Sequence, residues 1–160
     1  ERGVRFVQLY TGNQTWDHHK GIIGSLPAAC KYVDKPAAGL VMDLKSRGLL
    51  DSTVVHWGGE MGRLPVIQYD AGRSQVGRDH NTNGFSMWLA GGGFKGGTTY
   101  GETDELGHKA VVDVVNHHDY HATLLHLFGL DHTKVTFKRN GTDASLTDNQ
   151  GGQIVKGILA

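Results

Sequence analysis

Three short stretches of the chain bring carboxylates, imidazoles and guanidinium groups close together. Trp16-Asp17-His18-His19 sets a carboxylate two residues from an imidazole. His56-Trp57-Gly58-Gly59-Glu60-Met61-Gly62-Arg63 ends a β-branched run on a glycine pair, a carboxylate and, three residues on, an arginine. Gly77-Arg78-Asp79-His80-Asn81 supplies a third such knot. Carboxylate oxygen and imidazole nitrogen are donors for borderline and hard divalent ions. If Asp17, His19 and His80 converge with Glu60 nearby, the set suits zinc or manganese, with calcium as a further candidate. An ion so held polarises an ester and stabilises charge on phosphoryl or sulfuryl oxygens. Arg63 and Arg78 are placed to clamp the remaining anionic oxygens of a small ester substrate. Asp79 is placed to orient an imidazole from behind. The plainer alternatives stand beside these. Asp17 caps a turn, the histidines and Glu60 are solvated loop groups, and the arginines make surface ion pairs.

The elements that position these knots follow from pattern. Residues 4–10 (VRFVQLY) are β-branched and aromatic without a breaker, as in a strand buried on both faces. Residues 11–21 are a polar loop. Over residues 25–50, Leu26, Cys30, Val33, Ala37, Leu40 and Leu44 recur three and four apart, the spacing of one helix face. Pro36 predicts a kink or two helices, with Asp34 as a second cap, and Gly48 marks the stop. Residues 53–57 form the next strand. A right-handed β-α-β crossover then makes the two strands parallel neighbours, with Asp17, His19 and Glu60 on one rim. Residues 64–77 make a loop long enough to be functional. Residues 85–90 read as a third strand, and glycine-rich turns follow over 95–109. Asp119 caps a helix to Leu127 that Gly129 ends. At its start His117, His118 and His121 offer a local zinc site as a separate possibility, set against ordinary helix histidines. Asn140-Gly141 joins two short strands as a tight turn, and residues 153–160 close the chain as a short helix or strap.

Bulk properties narrow the partners. The 160 residues suffice for one domain, and 38% hydrophobic with 20% charged is a globular composition. Formal net charge is zero, so nothing recommends nucleic acid. Glycine is abundant, at 24, and without a collagen-like period. The single cysteine, Cys30, excludes an internal disulfide and a cysteine-based zinc cluster. No apolar run is long enough for a membrane segment. Oligomeric state is not legible. The opening Glu1-Arg2-Gly3-Val4, with neither Met nor signal peptide, suggests a piece of a longer protein.

The runs VVHWGGEMGR, GRDHNTNGFSMWLAGGGFKGGTTYGETDELG and HHDYHATLLHLFGLD, with RFVQLYTGNQTWDHH and DLKSRGLLDST, resemble an uncharacterised sulfatase-like family of the alkaline phosphatase superfamily. The resemblance covers nearly the whole chain and the carboxyl-terminal part of that family's length. It implies an α/β fold: a mostly parallel sheet with flanking helices and two divalent metals at the strand ends. It implies that Asp17, His19 and His80 hold one metal, and that Glu60 stands where an Asp serves the other. It implies hydrolysis of phosphate or sulfate esters by a parent exported to the periplasm or beyond. The family's Ser, Thr or modified Cys nucleophile has no counterpart here, because Cys30 sits in Ala-Ala-Cys-Lys-Tyr on a helix face. The alternative is a catalytically inactive metal-binding or structural module.

Overall fold

The computed structural model describes residues 3–68, 72 and 75–160. Helix α1 spans Ile22–Ser46, and a single 3-10 turn, Leu50–Ser52, leads to strand β1, Val55–Trp57. Strands β2 (Gly62–Arg63), β3 (His80–Asn81) and β4 (Trp88–Ala90) follow, then β5 (Glu102–Thr103) and β6 (Ala110–Val112). Helix α2 is His117–Leu127; β7 (Thr136–Arg139) and β8 (Thr142–Ser145) precede a terminal 3-10 turn at Lys156–Ile158.

The described strands form four two-stranded ribbons, β1–β4, β2–β3, β5–β6 and β7–β8, all antiparallel. This overturns the expected mostly parallel α/β sheet. Val55 pairs with Ala90 and Trp57 with Trp88, so β1 takes its partner from later in the chain. Residues 4–10 are strand-like in composition but belong to no described ribbon; they are exposed throughout. Composition shows that a segment suits a pleated surface; it does not supply the neighbour whose backbone must pair with it.

The expected break at Pro36 is also corrected, since α1 runs unbroken through Pro27 and Pro36. Each proline forfeits one intrahelical bond. For Pro36 the orphaned carbonyl is that of Tyr32, an exposed residue, so water can satisfy it. Both helices end as their glycines predict. Leu49 N donates to Leu44 O and Gly48 N to Lys45 O; Leu130 N donates to Leu125 O and Gly129 N to His126 O. These are paired Schellman bonds, with Gly48 and Gly129 at positive φ. The amino end of α2 differs from expectation. Asn116 is the cap and Asp119 closes a reciprocal capping box from the third helical position. Asn140-Gly141 joins β7 to β8 with both residues at positive φ, as a tight hairpin turn requires.

The core is small and lies where β1, α2 and the terminal strap meet. Val55, Phe94, Tyr120, Ala122 and Val155 are its buried apolar residues, and Ala29 of α1 is buried separately. Thr123 is fully buried; its hydroxyl donates to Asp119 O at 2.7 Å and accepts from Val155 N at 2.9 Å. The strap is further held by Lys95 N donating to Ile158 O and Ala160 N to Gly93 O. Gly91 lets the turn after β4 pass close to the 3-10 turn, because a Cβ there would lie 2.2 Å from Leu50 O. All three tryptophans, Trp16, Trp57 and Trp88, line a groove of about 380 Å³ against Val33, Ala37 and Val41 of α1. No described helix is long and apolar enough to cross a membrane.

Candidate metal centre

The loop before α1 is wound tightly by Asp17 N donating to Gln14 O, His18 N to Trp16 O and His19 N to Asp17 O. It is tied to residues 76–78 at two points: Arg78 N donates to His18 O and Ile22 N to Val76 O, each at 3.0 Å. Gly77 makes this approach possible. A Cβ there would lie 2.1 Å from the His19 carbonyl carbon and oxygen. The β2–β3 ribbon supplies the other half. Arg63 and His80 are directly paired in register, so their side chains rise on one face toward the loop. Asn81, 1% exposed, anchors the ribbon from beneath, donating to His108 O at 2.7 Å and accepting from Asn83 N at 3.0 Å.

Asp17, His19 and His80 therefore meet, with one ligand atom of each inside 4.8 Å of the others. Among the described residues this is the group of metal-competent side chains that gathers so closely. His19 Nε2 lies 3.1 Å from Asp17 Oδ1 and His80 Nε2 2.9 Å from the same oxygen. A tetrahedral ion with bonds of ~2.0–2.1 Å holds its ligands about 3.3 Å apart, close to this spacing. Gln68 Oε1 lies 2.7 Å from His19 Nδ1 and accepts its proton. In the neutral ring that leaves His19 Nε2 as a lone pair facing a carboxylate oxygen. Two acceptors in that contact need positive charge between them, either an imidazolium proton or a metal ion. Asp79 Oδ1 stands 3.7 Å from His19 Nδ1 and accepts from His80 N at 2.8 Å, so it braces both imidazole-bearing segments.

Arg63 is placed differently from an anion clamp. Its Nη2 donates to Asp17 Oδ1 at 2.5 Å and to Trp16 O at 3.1 Å, and its Nη1 donates to Arg78 O at 3.2 Å. The hydrogen bond from His80, then that from Arg63, holds the Asp17 carboxyl down to about 2. Arg78 is exposed and borders a second apolar groove with Ile22, Leu26, Pro65 and Val76. Glu60 is exposed and outside the Asp17–His19–His80 group. In the 64–77 loop, residues 69–71, 73 and 74 lie outside the described residues. His117, His118 and His121 are not among the described metal-competent groups: the His117 and His118 rings lie 3.8 Å apart, tilted by 39°, and His121 Nδ1 bonds His117 O at 2.7 Å. Gln68 had no signal in the sequence. Nothing local marks a loop amide 49 residues away as the partner of His19.

Among the described residues, two α-helices, four antiparallel ribbons and one carboxylate–imidazole cluster define a chain of mixed α and β structure with one candidate metal centre. The chain belongs to the DUF1501 family, described as a protein of unknown function, whose profile matches residues 1–159. Comparison with curated proteins and with solved structures gives no match. These findings correct the sulfatase-like resemblance. The family that matches is one without assigned activity, and the antiparallel ribbons are not the sheet that resemblance implies.

Proposed function

We propose that Asp17, His19 and His80 bind one divalent metal ion, zinc or manganese, and that the centre serves hydrolysis of a small phosphate or sulfate ester. The observation that carries this is the pair of imidazole Nε2 atoms closing on one carboxylate oxygen at 2.9 and 3.1 Å. Three protein ligands with an open side are the donor pattern of hydrolytic zinc. When bound, such an ion supplies Lewis acidity and charge neutralisation at the ester oxygens. The residues of the chain do the rest. Gln68 fixes the His19 tautomer, Arg63 aims the Asp17 carboxylate, and exposed Arg78 is the guanidinium left for the substrate anion.

A second reading has its own support. Arg63 already donates to Asp17 Oδ1, so the cluster is also a self-sufficient charge network, as expected of a structural module without turnover.

Metal analysis of protein purified without chelator, with thermal shifts on adding zinc or manganese, tests the first reading. One ion per chain, lost in Asp17→Ala, and turnover of aryl phosphate or aryl sulfate esters are expected. Absence of both ion and thermal shift sinks the metal centre; an ion without turnover on either ester favours the structural module.

A further inference from the structure

The groove against α1 holds every tryptophan of the chain. Trp16, Trp57 and Trp88 line it opposite Val33 and Val41. Trp57 and Trp88 pair directly across β1 and β4; their rings lie within 8° of parallel, with centroids 6.4 Å apart. Trp16 stands at 88° to Trp57, centroids 5.8 Å apart. Three indoles therefore meet at a corner, and one ligand can lie within about 6 Å of two ring centroids at once. Trp16 is fixed at both ends: its Nε1 donates to Thr11 Oγ1 at 3.0 Å, and its carbonyl accepts from Arg63. Cross-strand packing accounts for Trp57 beside Trp88. It does not require a third indole from the loop before α1. Nor is the corner sealed, since Trp57 and Trp88 remain 39% and 37% exposed. The open volume of about 380 Å³ is that of a small-ligand site.

Charge and polarity select the ligand. Among the described residues, Asp34 is the charged side chain on the groove wall, and no Lys, Arg or His lines it. An indole face is the negative part of the ring's quadrupole, so it attracts cations and disfavours anions. Apart from Asp34 and the Cys30 thiol, the wall is aliphatic and aromatic. A primary ammonium would shed water there without enough acceptors to replace it. A fully alkylated nitrogen has no N–H to satisfy and presents methyl groups to an apolar wall. We propose that the groove binds a quaternary ammonium group, its methyl groups against Trp16, Trp57 and Trp88 and its charge balanced by Asp34. Trp16 precedes Asp17 in the chain, but binding in the groove requires no metal ion, so this inference stands apart from the proposed function.

Choline is the probe, and its uncharged carbon isostere, 3,3-dimethylbutan-1-ol, is the control at matched ionic strength. All three tryptophans line the groove, so intrinsic emission reports on it directly. Choline should change that emission saturably, and the isostere should bind at least about 10-fold more weakly. Asp34→Asn, a change at an exposed side chain, should weaken choline binding about 2–5-fold. Trp88→Leu, which keeps the wall apolar and removes one ring face, should weaken it about 3–10-fold. Three results overturn the inference: no saturable response to choline; choline and the isostere bound equally, the mark of an apolar cleft without preference for charge; and choline binding unchanged in both variants.

Discussion

Arg63 and His80 face one another across the β2–β3 ribbon, and both close on the same oxygen of Asp17, at 2.5 and 2.9 Å. A two-residue pairing thus presents a guanidinium and an imidazole to a carboxylate from a loop 46 residues away. Gln68 stands behind His19, and Gly77 allows the two loops to touch.

Gln68→Ala should weaken zinc binding by about 10–100-fold, as loss of a ligand's orienting partner does elsewhere. Titration calorimetry reads this directly, and Asp17→Ala should abolish the heat of binding. Zinc affinity should also fall on acidification, because protons compete for imidazole nitrogen. Binding indifferent to both changes would place the ion somewhere else. Tryptophan emission should change on metal binding, since Trp16 adjoins Asp17 and its carbonyl accepts from Arg63.

Gly77→Ala should separate the loops, since its Cβ would meet backbone atoms of His19 that cannot rotate away. A loss of at least about 2–3 kcal/mol is expected from a clash with backbone. Urea unfolding measures it, and a variant as stable as wild type would show that the contact is slack.

Thr123→Val keeps the shape of a fully buried side chain and removes its hydroxyl. Val155 N then loses its acceptor, at a cost of about 1–3 kcal/mol. Tyr120→Phe provides the contrast. The Tyr120 hydroxyl is buried without a hydrogen-bond partner among the described residues, and burial pushes its pKa up to about 12. Removing it should leave stability unchanged or raised. Denaturation midpoints should therefore fall for Thr123→Val and not for Tyr120→Phe, although the two buried hydroxyls are one turn apart.

Acid should destabilise the fold partly through His56. His56 is exposed but partly desolvated by its neighbours, and this, then the charge of His121, pushes its pKa below the ordinary 6.5. As pH falls through 6.5 the unfolded chain takes up this proton before the folded chain does, so stability drops there and is full above it. Thermal midpoints of wild type and His56→Phe, followed from neutral to mildly acidic pH, should converge as the wild type alone loses this contribution. Parallel curves would remove His56 from the account.

The sequence by itself determined what is local. Gly48 and Gly129 end their helices, and Asn140-Gly141 turns a hairpin, because each depends on φ and on bonds within a few residues. It also marked Asp17, His19, His80 and Glu60 as metal-competent side chains, since donor type belongs to the residue, and the first three are the ones that gather. Tertiary structure alone decided what they meet. Arg63 was legible as a cation but not as the group already holding Asp17, and Gln68 was not legible at all. Pairing was decided at the same level. Residues 4–10 and β1 are both strand-like, yet β1 pairs antiparallel with β4, and residues 4–10 remain exposed. Strand propensity resides in one segment, whereas a ladder needs two backbones whose hydrogen-bonding edges arrive together, and only the folded chain brings those edges into register.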